Sequence, residues 1–314
     1  MRLLHSLTKT HVSFDDPNLV SRAGLVPVMA LAQRAGLGAL VAEHVRPGGD
    51  CGVNAHLKIP CLVAGMAAGA DSIDDMNLLR HGALPDLFGG IRAPSTLGSH
   101  LRSFTWGNVR QLERVNRLLL GELARRAPLL PGRDTLAFLD IDAMQKRVYG
   151  HAKQGAGFGH TKIQGKSLLV RGLNALAATI TTPLGAPVTA GTRLRGGTAN
   201  SARGAARFAA EVIRTARVIG CGGLLIVRAD SAYYSAAFCG AVRRAGARFS
   251  VTVNMDTKIT AAIAAIAEGA WTGIRYSRLF PAWRYHAVFT GSPFELVQAE
   301  QHRDHAIVEQ VFAG

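Results

Sequence analysis

Between residues 16 and 128 apolar side chains recur every three or four positions with few β-branched runs, a period that predicts helices. LVPVMALAQRAGLGALVAEHV, LKIPCLVAGMAAGA, SIDDMNLLRHGALPDLF and VRQLERVNRLLLGELARRA all carry it. Ser72 ahead of Asp74 and Asp75, and Ser95 after Pro94, set cap-type residues and acids at the heads of such runs. PLLPGR, at 128–133, breaks the pattern, and the period then changes. TLAFLDIDAM and GGLLIVRADSAYYS are short apolar runs ending in acids, as buried central strands do. KSLLVRGLNALAATI and PVTAGTRLRGG also read as strands, and GAGFGH from Gly155 as a glycine-rich loop. ANSARGAARFAAEVIRTARVI and AAFCGAVRRAGA read as helices. RFSVTVNM, WTGIRYS and AWRYHAVFTG add short strands, and SPFELVQAEQHRDHAIVEQVF forms a closing helix that ends abruptly at Gly314, as in a truncated chain. The order predicts an α/β domain, a mixed sheet with flanking helices, over 131–314, preceded by an all-helical domain over 1–130.

Composition narrows the partners. The chain has 314 residues, 48% of them hydrophobic, enough for a substantial core, and a formal charge of +15. The basic residues are spread along the chain and not gathered in one amphipathic cluster, which points to nucleic acid over an anionic membrane surface. A genome biased toward Arg-rich codons is the alternative source of that charge. Cys51, Cys61, Cys221 and Cys239 form no CxxC pair and have no His at zinc spacing, so they read as buried small residues of a reducing compartment. The longest apolar segment, IPCLVAGMAAGA, is too short to span a bilayer, and the expected location is the cytoplasm.

Carboxylates end three apolar elements: Asp140 and Asp142 in FLDIDAM, Asp230 in VRADSAYYS, and Glu309 in HRDHAIVEQVF. Two-metal phosphoryl transfer needs hard oxygen ligands from separate elements, and Asp and Glu suit magnesium better than His or Cys. An Asp after a strand is also a common turn or cap residue, which is the plainer reading of each taken singly. Asp140 and Asp142, two apart on a strand, point to the same face, so either can be the ligand. Asp142 is nearer the open strand end and is preferred. Asp140 is then a supporting group or the alternate ligand.

At these residues the chain resembles the DDE transposases of bacterial insertion sequences, in the group carrying the first of the transposase DDE domains. The likeness rests on LAFLDIDAMQKRVYG, LRGGTANSARGAARF, VRADSAYYS and YHAVFTGSPFELVQAEQHRDHAIVEQVF, and extends from about residue 21 to the end. It implies a ribonuclease-H-like core behind a helical DNA-binding region, with a β-rich insertion at about 248–290. It also implies that Asp142, Asp230 and Glu309 are the three catalytic acids, holding two Mg²⁺ ions for which Mn²⁺ can substitute. The implied partners are double-stranded DNA, both element ends and target, and a second copy of the chain on that DNA. The Tyr-like and Arg-like positions before the final Glu hold His302 and His305, with Arg303 adjacent, and the expected Lys falls beyond Gly314. The residue after the first Asp is Ala143, where many relatives carry a hydroxyl.

Other residues carry two readings each. Arg193, Arg195 and Arg203 in TRLRGGTANSARG can grip the DNA backbone or line an ordinary solvated turn. Ser231, Tyr233 and Tyr234 follow the second Asp, where packing is preferred over stacking on a flipped base. APSTLGSHLRSFTWGNVRQL has the small and basic residues of a helix that enters a major groove, with a plain bundle helix as the alternative. GAGFGH lacks a following GK[ST] and is no phosphate loop, so no nucleotide triphosphate is expected. The alternatives to a transposase are a nuclease that cuts without joining and an inactive fragment that binds element ends.

Overall fold

The computed structural model describes residues 16, 18–150, 153–163, 166–270, 287–291 and 293. Two compact units, Met1–Leu123 and Ala124–Gly314, meet inside a long helix, so the chain divides slightly before the PLLPGR break.

The first unit is helical. Helices α1 (Leu25–Arg34) and α2 (Leu37–His44) join at Gly36, whose φ of +82° turns the chain without a Cβ penalty. They are followed by α3 (Ala55–Ala67), the short α4 (Leu84–Leu87), α5 (Pro94–Arg102) and α6 (Trp106–Arg126). One apolar cluster joins Leu25 to Cys61, Met76, Leu79 and Leu97, and another joins Leu37 and Val41 to Ile59 and Val115. The Ser72 signal holds: its backbone N–H donates to Asp75 and the Asp75 N–H is near its hydroxyl, at the head of a 3₁₀ helix, Asp74–Arg80. Ser95 does not cap. Helix α5 starts at Pro94, with Ala93 extended before it, because a proline at the first helical position needs no partner for its missing N–H. The 95–112 stretch is likewise two helices, broken where Asn108 accepts from the Thr105 N–H and hydroxyl.

The second unit carries the sheet. Strand β1 (Leu136–Arg147) is central; β3 (Lys166–Thr182) lies antiparallel to it, with β2 (Gly157–Ile163) and β4 (Gly185–Arg195) each paired antiparallel to β3. On its other side β1 runs parallel to β5 (Leu224–Ala229), and β5 parallel to β6 (Arg248–Thr252). Helices α7 (Ala205–Val218) and α8 (Ala236–Arg244) make the parallel crossovers β4–α7–β5 and β5–α8–β6. This mixed sheet with flanking helices is the α/β arrangement that the order of strands and helices predicts.

Two expectations change. GAGFGH is mostly strand, not loop, and its glycines have a steric reason. A Cβ on Gly159 would lie 2.7 Å from the carbonyl oxygen of Gly197, and one on Gly197 would lie 2.1 Å from that of Gly172. Backbone passes against backbone there, and propensity, which counts glycine against a strand, cannot register it. The β-rich insertion is also narrower than 248–290. Arg248–Thr252 is a core strand because it closes a parallel crossover, and Val288–Thr290 (β7) pairs antiparallel with it in the same sheet. The described part between them is a helix, α9 (Thr257–Ala264), capped by the Asp256 side chain on the Ile259 N–H, and a 3₁₀ turn.

Candidate active site

Strands β1 and β5 run parallel and in register from Leu136 opposite Leu224 to Ile141 opposite Ala229. One step further along each chain stand Asp142 and Asp230. Neighbouring strands lie about 4.8 Å apart, so Asp142, within β1, and Asp230, just past the end of β5, stand on adjacent chains. Both residues are half-buried, and Asp230 follows the carboxyl end of β5, where α/β sheets present functional side chains, while β1 runs on past Asp142. Asp142 accepts a hydrogen bond from the Ala143 N–H at 2.7 Å. Asp230 accepts from the Ala232 N–H at 3.0 Å and opens a 3₁₀ turn, Ser231–Tyr233. The cap reading of Asp230 thus holds: one oxygen pins the turn that follows β5.

The same register separates the two aspartates of β1. Asp140 is opposite Arg228, fully buried, and held by the guanidinium Nε at 2.6 Å and Nη2 at 2.8 Å, while Arg228 lies 4.4 Å from the Phe138 ring centroid. Asp140 is therefore a structural ion-pair partner, and the alternate-ligand role is set aside. The signal was present in the sequence: Asp-x-Asp on β1 and Arg-x-Asp on β5 share a period of two, so in-register parallel strands pair Asp140 with Arg228 whenever they pair Asp142 with Asp230.

Tyr233 closes the floor of the site. It is 1% exposed, its ring packs 5.4 Å from that of Phe238, and its buried hydroxyl makes no close hydrogen bond. Burial, then the negative charges of Asp142 and Asp230, push its pKa far above the ordinary value, against the opposing pull of Arg195 and the Ser201 hydroxyl. Packing describes the ring correctly, and its hydroxyl lies within electrostatic reach of Asp142 and Asp230. Tyr234 is exposed and meets Phe289 edge-on at 5.6 Å.

A raised folded pKa means that the native state holds the phenolic proton more tightly than the unfolded chain does. The associated stability is present below the unfolded value of about 10 and is lost as pH rises above it. Tyr233→Phe is expected to show a shallower loss of stability between about pH 10 and 12 than the parent. Urea unfolding across that range checks this, and parallel curves for the two proteins would contradict it.

Arg193 and Arg195 require a correction. Both lie on β4, not in the loop, and both are buried. Arg193 pairs with Glu211, which also takes Arg207 at 3.1 Å, and lies over the Phe208 ring. Arg195 donates to Asn174 Oδ1 at 3.0 Å and to the carbonyls of Asn200 at 2.9 Å and Arg203 at 2.6 Å. Burial lowers its pKa. Arg193 ties β4 to α7 and Arg195 pins the turn between them, so a phosphate reaches neither without displacing those bonds. Arg203 alone of the three is exposed. Cys51 is exposed too, whereas Cys61, Cys221 and Cys239 are buried.

Among the described residues no three His, Cys, Asp or Glu gather as metal ligands, and no single helix is long and apolar enough to cross a membrane. Glu309, His302, Arg303 and His305 lie outside the described residues. The family model for the transposase DDE domain, group 1, matches residues 4–292. Comparison with curated proteins gave no match. Among solved structures, the crystal structure of the Mos1 strand transfer complex is similar at 13% identity and a TM-score of 0.20, over 66% of this chain; the match spans 63% of that chain.

Proposed function

The chain belongs to the transposase DDE domain group 1 family, and from that membership we propose that it cuts and joins DNA strands at the ends of a mobile element by metal-dependent phosphoryl transfer. The observation that carries the reading is the placement of Asp142, within β1, beside Asp230, just past the end of β5, one step beyond the in-register pairing of the two parallel strands. Hard carboxylate oxygens at that spacing fit a divalent cation such as Mg²⁺, and Glu309 is the third acid that the family resemblance adds. Bound divalent ions supply Lewis-acid stabilisation of the attacking and leaving oxygens.

The chain's own residues do the rest. Asp142 binds from the middle of β1, where it is paired with β3, and Asp230 from a capped turn at the end of β5, so little reorganisation accompanies reaction. The cap on Ala232 fixes the Asp230 rotamer. Arg195 holds the turn bearing Ser201 against the site, and Tyr233 excludes water from beneath it.

In the first unit, α5 buries Pro94, Leu97, Gly98 and His100 and turns Ser95, Thr96 and Arg102 to solvent, a polar face suited to element-end DNA. Binding of two element ends by a dimer completes the reading.

The test is magnesium-dependent cleavage of a labelled duplex carrying the inverted repeat that flanks the gene. The parent chain is expected to nick and then join this duplex, and Asp230→Asn, which keeps the cap, is expected to do neither. Cleavage without joining would make the chain a nuclease, and binding without cleavage an inactive binder; either outcome overturns the proposal.

A further inference from the structure

We propose that the outer end of the β1–β3–β2 hairpin is a second DNA-contact site, a platform on which an unpaired strand lays its bases. The inference rests on the transposase reading and adds a contact made neither by the acids nor by the helical unit.

Four observations converge on it. Arg147, Val148, Tyr149, Phe158, Leu169 and Arg171 line an open concavity of about 530 Å³. Its aromatic rings are bare: Tyr149 is 71% exposed and Phe158 60%. Core packing does not explain two such rings on one hairpin, because apolar burial would have hidden them.

Cations interleave with the rings. The Arg147 guanidinium lies 5.0 Å from the Tyr149 ring centroid, and Phe158 stands directly across from Arg171, which also donates to the Gly150 carbonyl at 2.5 Å. Finally, Lys146, Arg147, Lys153 and Arg171 belong to a stretch that contains no Asp or Glu between Asp142 and Glu211. Rings and cations in a stretch of sequence that carries no acid select a polyanion with π-faces, and a single strand of DNA offers both.

Unpaired DNA fits better than duplex. A stacked base pair shows a protein only its edges, whereas flat rings such as Tyr149 and Phe158 need an exposed base face. Backbone phosphates would then meet Arg147 and Arg171.

The probe is a fluorescein-labelled strand of about twenty nucleotides, alone or annealed to its complement, titrated by anisotropy with the full chain. Tyr149→Ala with Phe158→Ala is expected to weaken single-strand binding roughly 10- to 100-fold and to leave duplex binding and the thermal midpoint near those of the parent. Phe158→Tyr keeps a ring and is expected to bind as the parent does. Arg147→Gln is expected to lower the slope of log K against log salt by about 0.7, one phosphate's worth. Unchanged single-strand binding by the double variant overturns the platform alone, provided the parent still cleaves through Asp230. A parent dimer that the double variant converts to monomer makes the patch a contact between copies and overturns it as well. A parent that binds neither probe overturns both the platform and the transposase reading.

Discussion

Asp142→Asn is expected to reduce magnesium-dependent cleavage by about 10³-fold or more while the protein stays folded. Loss of a carboxylate ligand removes several kcal/mol of charge stabilisation, and about 4 kcal/mol is a factor of 10³. The Asn oxygen can still accept from the Ala143 N–H, and removing one of two adjacent negative charges relieves repulsion with Asp230. The thermal midpoint should hold or rise slightly. Cleavage assays and calorimetry on the same preparation check both halves. Near-parental cleavage would remove Asp142 from the centre, and loss of activity with an equal collapse in stability would make its role structural.

The opposite dissociation is expected two residues away. Arg228→Met leaves Asp140 fully buried without its counter-charge, which costs about 3–5 kcal/mol. In a domain of this size that corresponds to a fall in melting temperature of roughly 6–20 °C. Replacing both partners, Asp140→Leu with Arg228→Met, should recover most of the loss, since a buried pair exchanged for apolar groups is often neutral. A single variant that loses less than about 1 kcal/mol would mean that Asp140 is neutralised or solvated in some other way. The two results together separate one aspartate that serves chemistry from another, on the same strand and face, that serves the fold.

These contrasts show what was legible. Acids after apolar runs located the end of β5 and the place where β1 leaves the core, because a buried strand must be apolar until it emerges, though β1 itself runs on to Arg147; the change of period near residue 130 located the transition from helices to sheet. Choosing between Asp140 and Asp142 needed the partner strand, since a period of two puts both on one face. Arg193 and Arg195 misled as DNA contacts because the glycine and asparagine after them look like a solvated loop, although the strand reading of PVTAGTRLRGG already reached them and pairing with β3 carries β4 as far as Arg195. The glycines of β2 misled for the converse reason: their value lies in what passes close by, which no local window contains. Arg248–Thr252 looked like the start of an insertion because a five-residue strand gives no sign of which sheet it joins.

Strand β1 also has a metrical consequence. It runs unbroken from Asp142 to Arg147 with every residue paired to β3, so the acid and the edge of the aromatic platform sit on one stiff rod. Five residues at about 3.3 Å each separate them by roughly 16 Å. A DNA strand advances about 3.4 Å per nucleotide when stacked, so that span corresponds to between four and five nucleotides. A strand held by its bases at Tyr149 and Phe158 would offer Asp142 a phosphodiester at a set count from the held base. The position of the cut would then be measured in residues of protein: β1 is the ruler, and its pleat is the scale.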